Sequence, residues 1–288
     1  MNRLAVERRV LAVARPVLIT LLLIAAVFPF YYMVLLSFVP IEELLRQPDR
    51  LVIPPDQLTF DTYRQVLAPQ SEGGQGFAGF MGNSALVAVV TAAVTMLLVI
   101  PGSYAVSRLR FVGRRHLSSL FLVVYMFPAI IIAIPLFVAF SRMGIRESLV
   151  GLIIVYVALN IPVSIHMLRN YFDTIPVSID EAARVDGASR LQTMRLITVP
   201  LAMPTIMSTL LYVFMIAWNE FLFALLFLTA KRDLWTVSLG LSQLSNGVEV
   251  PKTVLMAGSV LLTIPIVLLY ALAERKLTDG LAAGADKG

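Results

Sequence analysis

Long apolar stretches dominate the chain, separated by shorter polar segments that carry most of the arginines. A helix that crosses a bilayer needs about 20 apolar residues. Six stretches reach that length: 17–38, 83–104, 117–141, 148–168, 196–228 and 253–273. The fourth holds only His166 and the fifth only Glu220 as ionisable groups; the others hold no charge. The runs are continuous, without the period-two alternation of outer-membrane strands. The pattern predicts an all-α, polytopic membrane protein with six transmembrane helices.

The rest of the chain divides around these spans. Residues 1–16 mix arginines with Leu4, Val6, Val10, Leu11 and Val13. They read either as an amphipathic helix on the inner leaflet or as a frayed basic arm. Residues 17–276 form the expected six-helix domain, with a long loop at 173–200, and 277–288 form a tail. The first span is too long for a signal peptide, and no small-x-small cleavage site occurs between its start and Tyr31. It is expected to be retained. Prolines recur inside the spans (Pro29, Pro101, Pro128, Pro135, Pro162, Pro204 and Pro265) and are expected to kink helices for packing.

Composition supports the membrane reading. The chain is 58% hydrophobic and 14% charged, with mean hydropathy +0.84. A soluble domain carries about 25% charge, so a water-soluble enzyme and a disordered chain are excluded. There is no cysteine and there are only two histidines, His116 and His166. No thiolate chemistry is available and no metal site is expected. The net charge of +5 matters through its distribution. With the N-terminus inside, fifteen of the 23 Lys and Arg residues fall in inner segments and eight in outer loops. The positive-inside bias places both termini in the cytoplasm.

No Walker A loop, His-Glu-x-x-His or Gly-x-Ser-x-Gly is present. If the protein moves a solute uphill, the energy comes from a partner or an ion gradient. Buried charge marks ion-coupled carriers, and Glu220, beside Asn219, is the one carboxylate clearly inside a span.

Loop 173–200 reads DTIPVSIDEAARVDGASRLQTMRLITVP. Ser178-x-x-Glu181 after Pro176 predicts a capping box that starts a helix, with Asp180 and Glu181 near its positive end. Gly187 permits a sharp bend. Leu191, Met194, Ile197 and Leu201, at three- and four-residue spacing, predict a second helical stretch that feeds the fifth span. The small residues Ala182, Ala183, Gly187 and Ala188 allow another protein to approach closely; the alternative reading is an amphipathic loop resting on the headgroups.

Glu181-Ala182-Ala183, then Gly187, then Ile197-x-Val199-Pro200 closely resembles the EAA signature of ABC-importer permeases. Val199 replaces the family's leucine. Trp218-Asn219-Glu220-Phe221, Asn83-Ser84 at the opening of the second span, and the glycine-bearing tail 281–288 resemble the six-span subunit of maltose-type sugar permeases. The chain looks most like the trehalose-importing branch of mycobacteria. The resemblance implies a type I importer permease fold and a non-catalytic membrane subunit of the bacterial plasma membrane. It implies transport of a sugar, with a disaccharide such as trehalose or maltose expected. It further implies a second homologous permease, two ATP-binding cassette subunits that carry ATP and Mg, and an extracytoplasmic sugar-binding protein or lipoprotein. No cofactor in this chain and no nucleic acid partner are expected. Glu181, Ala182, Ala183, Asp186 and Gly187 would form the ATPase-coupling contact. Asn219 and Glu220 would line the translocation path or a gate, or simply hydrogen-bond between helices. Tyr125, Tyr156, Asn160 and Trp218 could meet a sugar or serve packing. The outer loop 231–252, with Trp235, is candidate surface for the binding protein. An ion-driven carrier using Glu220 is the alternative.

Overall fold

The computed structural model describes residues 3–46, 52–54, 57–246 and 251–285. Among them there is no β-strand. The helices are α1 (Arg3–Ser37), α2 (Ile41–Arg46), α3 (Asp61–Leu67), α4 (Phe77–Arg108), α5 (Arg114–Met126), α6 (Ala129–Arg142) and α7 (Leu149–Phe172). They continue with α8 (Val177–Val185), α9 (Arg190–Thr193), a π-turn (Met194–Thr198), α10 (Val199–Leu201), α11 (Met203–Asn219), α12 (Leu222–Leu228), α13 (Val237–Asn246) and α14 (Lys252–Ala285). The arm from residue 3 is thus continuous with the first span, and 277–285 with the last. Asp286, Lys287 and Gly288 lie outside the described residues.

Among the described residues, four helices are long and apolar enough to cross a bilayer: Leu11–Ser37 within α1, α4, α7, and Lys252–Ala273 within α14. The other two predicted spans are not single helices. Stretch 117–141 breaks at Phe127, whose backbone is extended at φ −74°, ψ 124°. Pro128 follows, and the residue before a proline is pushed out of the helical region. Stretch 196–228 is cut twice. The Arg190–Leu201 segment meets α11 at 79°, and a second break falls at Glu220 and Phe221. Pro16, Pro29, Pro101, Pro135, Pro162 and Pro265 stay inside their helices.

The chain forms two compact units. One comprises Met1–Phe77 and Gln243–Leu261. Here α1 buries nothing along its most apolar stretch, and Leu21 and Leu22 are 60% exposed. A helix apolar on all sides belongs in lipid or against another subunit. Beyond α1, Phe38 packs on Phe60 and Tyr63 at 5.2 and 5.0 Å between ring centres. Ser37 and Tyr63 share a 2.7 Å hydrogen bond.

The other unit comprises Ala78–Ser242 and Leu262–Gly288. Its core is built on α7, where Leu152, Val155, Tyr156, Leu168 and Phe172 are buried. Ser148 caps α7 by accepting from the Gly151 amide at 3.1 Å. Gly151 lies so close to the preceding turn that a Cβ would sit 2.5 Å from the Ile145 carbonyl oxygen. Phe227 of α12 packs against Phe140 at a tilt and edge-on to Phe223. Asn83 and Ser84 lie within α4, which begins six residues earlier than the predicted span. Asn83 donates to the carbonyls of Asp233 and Trp235, and Ser84 accepts from the Val237 amide. Trp235 itself is buried and donates to the Leu228 carbonyl at 3.0 Å. The expectation that Trp235 presents a binding surface is therefore corrected: its indole anchors the turn before α13.

Candidate functional site

The segment after α7 is built by competing local signals. Pro176 sits in extended backbone (φ −55°, ψ 132°) and its carbonyl accepts from the Ile179 amide, so α8 begins at Val177. Ser178 is already helical and cannot act as the N-cap; the expected Ser178–Glu181 capping box does not form. A capping box forms eleven residues later instead. Ser189 Oγ accepts from the Gln192 amide, and Gln192 Oε1 accepts from the Ser189 amide at 2.8 Å. Between the two helices, Gly187 takes the left-handed conformation, φ +84°. Its amide bonds to the Arg184 carbonyl and the Ala188 amide to the Ala183 carbonyl, the paired closure of a Schellman motif. The bend expected at Gly187 is thus observed.

The second stretch departs from the expected period. Pro200 has no N–H, and the backbone widens into the π-turn just before it. Thr193 and Thr198, five residues apart, face inward and are buried. Leu191, Leu196 and Leu201 point outward and are exposed. The expected second helical stretch is present as α9, the π-turn and α10; along its stripe Leu191 and Leu201 are exposed and Met194 and Ile197 half-buried.

α8 has two faces. Glu181, Ala182 and Asp186 are exposed, as is Gly187 beyond the helix end; Ala183 is buried. Asp180 is buried as well. Its Oδ2 lies 2.9 Å from Nε of Arg108 at the end of α4, and both side chains are under a tenth exposed. Arg108 Nη2 donates to the Ile175 carbonyl at 2.7 Å. Ser107 Oγ donates to Asp173 at 2.6 Å, and Asp173 pairs with Arg169 at 3.3 Å. Beside this network lies a cleft of about 730 Å³, lined by Tyr104, Arg110, Arg114, Glu181, Arg184 and Arg190 among others. Adjacent carboxylates thus have opposite roles: Asp180 ties α8 to the body of the unit, and Glu181 is left outside.

Glu220 sits in the break between α11 and α12 with extended backbone. Its carboxylate accepts from the amides of Phe223, at 3.0 Å, and Ala224. The Tyr156 hydroxyl of α7 donates to the same carboxylate. It therefore caps the N-terminus of α12 and bridges to α7. Asn219 is exposed and donates to the Met215 carbonyl of its own helix. Trp218, Tyr156 and Asn160 are buried: Trp218 donates to the Leu262 carbonyl, and Asn160 to that of Tyr156. The Tyr125 side chain lies outside the described residues. Among the described residues, no three His, Asp or Glu side chains gather to hold a metal ion.

Sequence reasoning missed Arg108, Ser107 and the partner of Glu220. Arg108, at 105–116, counted only among the fifteen inner Lys and Arg residues, because nothing local in sequence links it to a residue 72 positions later.

A family model described as "binding-protein-dependent transport system inner membrane component" matches residues 99–279, which include α8, the π-turn and Glu220. The chain belongs to this family and is a multi-pass integral membrane protein. It is 40% identical over 270 residues to the inner membrane ABC transporter permease protein YcjP of Escherichia coli, covering 94% of both chains. It is 37% identical to the trehalose/maltose transport system permease protein MalG of Thermococcus litoralis, covering 93% of this chain and 94% of the relative. Identity to the trehalose transport system permease protein SugB of Mycobacterium tuberculosis is 33%, covering 94% and 96%. The fold is shared with a chain of a crystallised bacterial ABC transporter that imports the acidic polysaccharide alginate. That match has a TM-score of 0.78 at 24% identity and covers 96% of this chain and 98% of the other.

Proposed function

We propose that this chain is the non-catalytic permease half of an ATP-driven carbohydrate importer in the bacterial plasma membrane. A disaccharide such as trehalose or maltose is the substrate best supported by the names of the MalG and SugB relatives. The carrying observation is α8. It is a nine-residue helix, closed by a left-handed glycine, that presents Glu181 and Ala182 of the EAA triplet outward, with Asp186 exposed at its C-cap, while Ala183 packs inward. A short rigid helix with small residues on its open face suits docking into a cleft of an ATP-binding cassette subunit. Six crossings with cytoplasmic termini follow if α5–α6 and the α9–α12 segment each count as one broken crossing. Broken spans are tolerated where other protein groups satisfy the freed backbone, and here Glu220 does so for α12.

The assembly needs a second homologous permease and two ATPase subunits, which hold ATP and Mg. It also needs an extracytoplasmic sugar-binding protein; a structural relative was crystallised with a periplasmic protein bound to an alginate pentasaccharide. Nucleotide must stabilise one arrangement of the permeases over the other. The break at Asn219 and Glu220 is the proposed gate beside the path. The saturation of Glu220 by the Tyr156 hydroxyl and two amides supports a capping role over that of an open ion-coupling site.

The test is co-purification with the partner subunits, followed by ATPase assays across disaccharides. Wild-type complex should hydrolyse ATP faster with binding protein and its sugar. Gly187→Pro forces φ to about −65° where +84° is needed and should abolish that stimulation and uptake. Intact uptake in Gly187→Pro would overturn the docking role.

A further inference from the structure

α8 is joined by the chain to α7 through 173–176 and to α9 through Gly187. Its strongest non-covalent tie runs to neither neighbour. Asp180 reaches Arg108 at the end of α4, at 2.9 Å, with the two side chains 9% and 7% exposed. The same guanidinium donates to the Ile175 carbonyl on the segment that leads into α8. One residue earlier, Ser107 holds Asp173. Two consecutive residues at the end of α4 therefore grip both ends of 173–180. A buried pair that loses one partner strands the other charge away from water, so parting the two is costly.

We propose that Arg108 and Asp180 form a strut that makes α4 move with α8. The inference rests on reading α8 as the docking helix. A push on the Glu181 face would then reach α4 directly, as well as α11 along the chain. Without the strut, the push reaches α11 only through Gly187 and the π-turn, two joints that can absorb it. Arg108 and Asp180 are positioning residues: they act through the helices they join. Their loss should leave ATP hydrolysis running while solute moved per ATP falls.

The chain has no cysteine, so a thiol pair can be placed cleanly. The complete importer carrying Arg108→Cys and Asp180→Cys is reconstituted in proteoliposomes, and uptake and ATP hydrolysis are read together. Before bridging, solute per ATP should fall about tenfold, and a bifunctional thiol reagent that links the two positions should restore it to within about twofold of wild type. Undiminished coupling before bridging overturns the strut. So does bridging that fails to restore uptake, because the pair would then be dispensable as a link or a latch that must open. If the cysteine pair does not assemble, charge reversal carries the test. Arg108→Asp and Asp180→Arg should each uncouple alone and recover together; a double variant no better than either single overturns the proposal. Uptake by the wild-type chain without its ATPase subunits would overturn the docking reading itself, and is distinguishable from failure of the strut.

Discussion

Asp180 and Glu220 are both carboxylates withdrawn from solvent at helix junctions, yet the protein compensates them differently. Asp180 faces a guanidinium and is under a tenth exposed. Among the described residues no cation pairs with Glu220; a phenol and two backbone amides hold it, and it is only half-buried. The first arrangement balances charge and binds two helices that are far apart in sequence. The second balances hydrogen bonds and closes a broken helix. Neutralising a carboxylate should therefore be costly where a cation is left behind and mild where only donors are.

Substitutions can break or sharpen this contrast. Asp180→Asn strands the Arg108 charge and should destabilise the protein by about 3–5 kcal/mol, read as a lower midpoint of thermal unfolding in detergent. Glu220→Ala removes the cap of α12 and leaves the Tyr156 hydroxyl unpaired, for a loss of about 2 kcal/mol in the same assay. Tyr156→Phe removes one donor and should cost about 1 kcal/mol. Glu220→Gln keeps an acceptor for the α12 amides and a group that can bond Tyr156. It should change stability by less than about 1 kcal/mol and leave uptake near wild type. A Glu220→Gln effect as large as that of Asp180→Asn would erase the contrast and restore an ionic role to Glu220.

The legibility of the chain in its sequence follows the same division. The long apolar helices and the EAA spacing are local patterns, and α1, α4, α7, α8 and α14 appear where those patterns fall. Features that depend on proline geometry were misread by periodicity alone. Pro176 moved the start of α8 ahead of Ser178, Pro128 split a span, and Pro200 opened a π-turn inside the second helical stretch, where Thr193 and Thr198 are buried. Long-range pairs left no trace. Arg108 looked like a topology charge, Tyr156 like a candidate stacking ring, and Trp235 like exposed surface, because their partners are fixed only by packing. Glu220 was conspicuous as a lone carboxylate in an apolar run. Its meaning depended on the helix breaking there, which the composition of 196–228 does not reveal.

The central claim is that this chain carries no energy source and receives movement through α8. The most direct measurement is solute accumulation in proteoliposomes that hold the two permeases, with and without the ATP-binding cassette subunits, with ATP enclosed on their side and sugar-loaded binding protein on the other. Accumulation that requires both the subunits and ATP is the expected result. Accumulation in vesicles that lack the subunits would contradict it.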